Sequence, residues 1–211
     1  MFCDTIRVMK DLDYFLELWH AKSSGVEHSP ELWNERAGEW IAEPSRLSAG
    51  RAERVCGILA DRGVLNADTS VIDVGCGPGI FVEEFAKYCK HATGVDFSSK
   101  FIEFALSRKS ANTNFIRANF SEFDAGTKYD LAFASNSPAI YNLSALEKFE
   151  SLSNAWCCNT VFVKSPGRFG QGFYSLINIL WHRGFLPETR YFRIGEEIFG
   201  MVLWNAAEKR D

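Results

Sequence analysis

The chain has 211 residues, 46% of them hydrophobic and 24% charged, with a formal net charge of -4. That is enough chain for one domain with a full core and too little for a comfortable second one, and the composition is that of a globular protein rather than a disordered one. The acidic balance gives no electrostatic reason to seek phosphate backbones or anionic membranes. No apolar run is long enough to span a bilayer, and the first residues, with Asp4, Asp11 and Asp13, do not read as a secretory leader. Six cysteines form no C-x-x-C pair, and His20, His28, His91 and His182 lack metal-ligand spacing. Reduced thiols in a cytoplasmic protein, with no metal site, are the expectation.

In chain order, Leu12, Phe15, Leu16 and Trp19 repeat at helical spacing, and Gly25 with His28-Ser-Pro30 ends that pattern near Ser23. Ser29 is a good N-cap with Pro30 at the first helical position, and Trp33, Ala37, Trp40 and Ile41 give a second amphipathic helix. Pro44 breaks it, and Leu47, Val55, Ile58 and Leu59 suggest a third helix closing near Gly63. Strand and helix signals then alternate. Strands are expected at Ser70–Val74, Ala92–Phe97, Thr113–Arg117, Tyr129–Ala134 and Thr160–Lys164, with helices over Phe81–Cys89, from Phe101, and over Leu143–Leu152 and Phe173–Trp181. Two further strand-like runs, Thr189–Arg193 and Phe199–Trp204, have only Ile194 to Ile198 between them and should form an antiparallel hairpin. The pattern predicts an α/β protein with a seven-stranded, mostly parallel sheet and helices on both faces. We expect a single domain over 1–211, with 1–54 a helical extension.

An open α/β sheet binds its ligand outside the carboxyl ends of its strands. Val71-Ile-Asp-Val-Gly-Cys-Gly-Pro-Gly79 is a strand running into a turn with glycine at alternate positions, and Asp96 stands 21 positions after Gly75. An acid at the tip of the second strand is placed to accept from ribose hydroxyls. The third glycine comes one position early for a dinucleotide fingerprint, and no Gly-Lys dipeptide exists to build a phosphate loop. NAD, FAD and ATP are thereby disfavoured.

This stretch resembles the first motif of class I S-adenosylmethionine-dependent methyltransferases, and Gly94-Val-Asp-Phe-Ser98 resembles that family's second acidic strand end. The resemblance covers roughly Val55 to the C-terminus and implies a Rossmann-like fold, S-adenosylmethionine as cofactor and S-adenosylhomocysteine as product. It also implies roles. Gly75, Cys76 and Gly77 would pass close to the methionine portion and adenosine, and Asp73 would help hold the methionine ammonium. Asp96 would take the ribose hydroxyls, Phe97 would pack on adenine, Asn119 and Phe120 would meet the adenine edge, and Ser135 would border the methyl group. Many relatives carry an acid where Asn119 stands, whose amide oxygen can also accept.

Asn136-Ser-Pro-Ala139 only faintly echoes the N-P-P-aromatic signature of relatives that methylate nitrogen, since Ser137 and Ala139 replace a proline and the stacking aromatic. Asn136, Tyr141 and Trp33 are the substrate-side candidates, and no catalytic base stands out. Methyl transfer from a sulfonium needs positioning above all. The expected acceptor is a small molecule; the alternatives are a non-catalytic S-adenosylmethionine-binding protein and a nucleic-acid or protein methyltransferase. Sequence alone leaves the oligomeric state open.

Overall fold

Eight apolar strand positions from Val71 to Phe133 lie fully buried in the middle of the molecule, and the sheet forms around them. The structure, a computed structural model, describes residues 10–21, 28–42 and 46–209. The helix end expected near Ser23, the Gly25 and Pro44 breaks and Cys3 lie outside the described residues.

Three helices come first: α1 (Leu12–Ala21), α2 (Pro30–Ala42) and α3 (Arg46–Asp61). Ser29 Oγ accepts from Leu32 N at 3.2 Å, so the expected cap of α2 forms. Gly63 at φ 74° closes α3, with Val64 N donating to Leu59 O at 2.9 Å. The alternating part follows as β1 (Ser70–Val74), α4 (Ile80–Phe85), β2 (His91–Asp96), α5 (Ser99–Ser107), β3 (Thr113–Arg117), β4 (Tyr129–Ser135), α6 (Leu143–Ser151), β5 (Ser153–Ser165), β6 (Arg168–Phe169), α7 (Gly172–His182), β7 (Glu188–Ile194) and β8 (Glu197–Asn205).

The sheet runs in the order β3-β2-β1-β4-β5-β8-β7. The first five strands pair in parallel, and β8 lies antiparallel between β5 and β7. The C-terminal hairpin is therefore present, with β7 at the edge. The sheet has eight strands rather than the expected seven, because Pro166-Gly167 turns the chain back on itself: β6 pairs Arg168 with Ser165 and Phe169 with Lys164. Gly167 supplies the positive φ, 72°, that this tight turn needs. Strand β5 also starts at Ser153 instead of Thr160, since Cys157 and Cys158 are fully buried and paired on both sides by β4 and β8.

Two apolar layers cover the sheet. On one face Trp19, Phe149, Phe173 and Trp204 pack beneath α1, α6 and α7; on the other Leu59, Phe85, Phe115 and Phe133 pack beneath α3, α4 and α5. Alternation along β1 puts Ile72 and Val74 in the first layer and Val71 in the second, so Asp73 faces α3 and α4. Trp19 ties α1 to the turn after β4 by donating to Ile140 O at 3.1 Å. The strand order reverses between β1 and β4, and their carboxyl ends open the crevice there.

Candidate functional site

A cavity of about 540 Å³ lies outside the ends of β1, β2 and β4, with α2 and α3 along its side. The glycine loop forms its floor. A Cβ on Gly75 would stand 2.1 Å from Ser137 Oγ, so only glycine lets the turn after β4 close over the turn after β1. Gly79, at φ 83°, precedes α4, and a Cβ there would lie 2.7 Å from the Phe115 ring. The third glycine therefore serves close packing of α4 against β3, not contact with a ligand. Gly77 has no such neighbour and lines the cavity.

Asp96 is bound into this loop: its Oδ2 accepts from Gly77 N at 2.9 Å and its Oδ1 from Ser98 N at 2.8 Å. Burial raises its pKa against these N–H donors. A carboxylate has further lone pairs beyond two such bonds, which suits it to vicinal hydroxyls. Asp73 is deeper. It is 2% exposed, and its Oδ1 has no hydrogen-bond partner among the described residues. Burial, then repulsion from Asp96, pushes its pKa well above the usual carboxylate range, with Arg51 acting the other way.

Arg51, which the sequence reading missed, completes the picture. It stands on α3 with its guanidinium 4.9 Å from the Phe199 ring centroid and 5.5 Å from that of Phe81, and it lines the same cavity. Its buried Nε has no partner among the described residues, and burial lowers its pKa to about 10, opposed by Glu197 and Asp73. The signal was there: Arg51 precedes Val55 and Leu59 at four-residue spacing, a lone cation on the buried face of an amphipathic helix.

The other candidates divide. Phe97, Phe120, Asn119, Ser135, Asn136 and Trp33 all line the cavity, as does the buried Cys76, whose thiol pKa burial holds well above its ordinary value. Lys148 Nζ lies 5.4 Å over the Phe120 ring and donates to Ser121 O at 2.9 Å. Asn119 Oδ1 accepts from Ser121 N at 3.1 Å and from Ser121 Oγ at 3.0 Å, so this oxygen already holds its own turn. Asn136, at φ 49°, donates its N–H to Thr160 O and accepts from Phe162 N with Oδ1, both at 2.8 Å. Tyr141 is not on the cavity wall. It packs in the core with its ring centroid 4.8 Å from that of Trp19, and burial pushes its pKa up.

Residues 71–155 match the family model described as a methyltransferase domain. No curated protein matches the chain in sequence. Among solved structures, the magnesium protoporphyrin IX methyltransferase of Synechocystis, with bound S-adenosylhomocysteine, superposes with a TM-score of 0.60 at 18% identity, over 92% of this chain and 96% of that one. The N-methyltransferase NodS of Bradyrhizobium japonicum, also in complex with S-adenosylhomocysteine, gives 0.62 at 16% identity over 83% and 99%. The DhpI complex with the same ligand gives 0.63 at 15% identity over 85% and 96%. At these identities the likeness is one of fold.

Proposed function

We propose that this protein, a class I S-adenosylmethionine-dependent methyltransferase by its domain and fold, passes the methyl group to a small-molecule acceptor by in-line displacement. The observation that carries the reading is a pair of buried groups of opposite charge, Asp73 Oδ1 and Arg51 Nε, on the wall of one cavity and without hydrogen-bond partners among the described residues. Each is costly alone, and an α-amino acid supplies both missing partners, an ammonium for Asp73 and a carboxylate for Arg51. Asp96 takes the ribose hydroxyls, and Phe97 and Phe120 flank adenine. Bound there, S-adenosylmethionine supplies a methyl group on a cationic sulfur that departs as a neutral thioether.

The chain's own residues then have three tasks: to hold the donor by both ends, to direct the acceptor along the line of attack, and to exclude water. Residues 1–54 cover the site in this reading, with Trp33 and Trp40 as the apolar wall, and 1–211 act as one domain. No helix among the described residues is long and apolar enough to cross a membrane. The five cysteines among the described residues, all free and buried, support a cytoplasmic setting. Equilibrium dialysis with methyl-labelled S-adenosylmethionine tests the proposal: saturable binding displaced by S-adenosylhomocysteine is expected, and folded protein that binds neither contradicts it. Turnover of any acceptor excludes a non-catalytic role.

A further inference from the structure

Away from the glycine loop, most polar side chains on the cavity wall keep a hydrogen-bond donor free, while Ser144 Oγ and Ser121 Oγ, whose protons go to Asn142 Oδ1 and Asn119 Oδ1, keep lone pairs. Asn142 Oδ1 caps α6, accepting from Ala145 N at 2.9 Å and from Ser144 Oγ at 2.8 Å. Asn136 Oδ1 accepts from Phe162 N at 2.8 Å. A backbone N–H can only donate, so in both amides the oxygen must face the protein and Nδ2 is the end left to the cavity. Ser135 Oγ accepts from Thr160 Oγ1 at 2.8 Å, which leaves its own proton for another partner. His28 Nδ1 accepts from the Trp33 indole N–H at 3.3 Å, so the neutral ring carries its proton on Nε2. Lys148 uses one of its three N–H bonds on Ser121 O. The carboxylates on the wall are Asp73 and Asp96, both at the glycine-loop end.

Resting on the cofactor reading above, we propose that the methyl acceptor is an ionised oxygen acid, a carboxylate on an apolar body. Ser135, Asn136, Asn142, His28 and Lys148 offer donors to the oxyanion, and Trp33 and Trp40 cover the body. A protonated amine would meet mainly N–H and O–H groups, with the Ser121 and Ser144 hydroxyl lone pairs but no carboxylate on this side of the cavity, and a buried cation without an anionic partner is disfavoured. The chemistry agrees with the wall. An amine ionised at neutral pH must lose a proton before it can attack, and none of these five side chains is placed to take one; a carboxylate already carries its lone pair. One carboxylate oxygen forms the C–O bond as the C–S bond breaks, and that bonding pair stays on sulfur. Anion and sulfonium neutralise each other, and no proton moves.

Binding to protein saturated with S-adenosylhomocysteine tests this without turnover. Calorimetric titration with matched pairs is made at neutral pH: benzoate against benzylamine, phenylacetate against phenethylamine, indole-3-acetate against tryptamine. At least one acid is expected to bind about tenfold or more tightly than its amine. Asn142→Asp keeps the cap of α6 and the Ser144 bond while turning the cavity-facing N–H into an oxygen; Asn136→Asp does the same beside Phe162. Each should weaken the acid about tenfold or more and leave S-adenosylhomocysteine binding intact. An amine that binds as well as its acid, a panel in which no acid binds, or acid affinity unchanged in both variants overturns the proposal. Failure of S-adenosylhomocysteine itself to bind would instead bring down the cofactor reading, and this one with it.

Discussion

Replacing Asp73 with asparagine should make the ligand-free protein more stable and the liganded one less so. The side chain is 2% exposed, with Oδ1 lacking a partner among the described residues and the Asp96 carboxylate nearby. Asparagine has the same shape without the charge. Relieving one unpartnered buried charged group is worth about 1–2 kcal/mol, which for a domain of this size raises Tm by roughly 2–8 °C. The pH dependence has a definite sign. Asp73's folded pKa is raised above its unfolded value, so the folded state binds more protons and the wild type loses stability as pH rises through that interval. The Tm advantage of Asp73→Asn should therefore be absent below about pH 4, where the carboxyl is protonated folded or unfolded, and grow as pH rises through the raised folded pKa. In the complex the ammonium needs the charge, so the same variant should bind S-adenosylhomocysteine about 10- to 100-fold more weakly. Thermal melts over a pH series and calorimetry read both halves. A Tm difference between variant and wild type that does not grow with pH across the series, or a variant that binds the ligand as tightly, refutes the reasoning.

Asp96→Ala removes the acceptor of Gly77 N and Ser98 N together with the ribose contact, and should weaken S-adenosylhomocysteine by about 100-fold or more in calorimetry. Gly75→Ala places a Cβ 2.1 Å from Ser137 Oγ on a backbone at φ 73°, and should cost about 2–4 kcal/mol in denaturant melts while opening the turn after β4. Affinity for S-adenosylhomocysteine in wild type should rise with pH as Asp73 ionises and be flat over the same range in Asp73→Asn.

What the sequence made legible was local. Glycines at alternate positions after an apolar strand dictate a turn that no other residue can make, and Asp96 at the next strand tip is reached by counting, so the loop and its acid stand where expected. What it hid depends on distant partners. Arg51 reads as an ordinary helix cation until α3 packs over Phe81 and Phe199 and buries it. Asn119 offers an amide oxygen in the sequence, yet Ser121 N–H occupies it, as Phe162 N–H does that of Asn136, and only the folded turns reveal it. Tyr141 lies five residues past Asn136, but the short 3₁₀ turn over Pro138–Ile140 rotates it into the core against Trp19. Ser153, Asn154 and Asn159 break the apolar pattern ahead of Thr160, while backbone pairing to β4 and β8 extends strand β5 back to Ser153 regardless.

The central claim is that Arg51 and Asp73 hold the amino-acid end of an S-adenosyl ligand beside the glycine loop. Calorimetric titration of S-adenosylhomocysteine and of methylthioadenosine, which lacks that end, into wild type and Arg51→Met tests it most directly. Wild type should bind S-adenosylhomocysteine far more tightly than methylthioadenosine, and Arg51→Met should lose about tenfold or more for the first and almost nothing for the second. Folded wild type that does not bind S-adenosylhomocysteine, or an Arg51→Met variant that weakens both ligands equally, would contradict it.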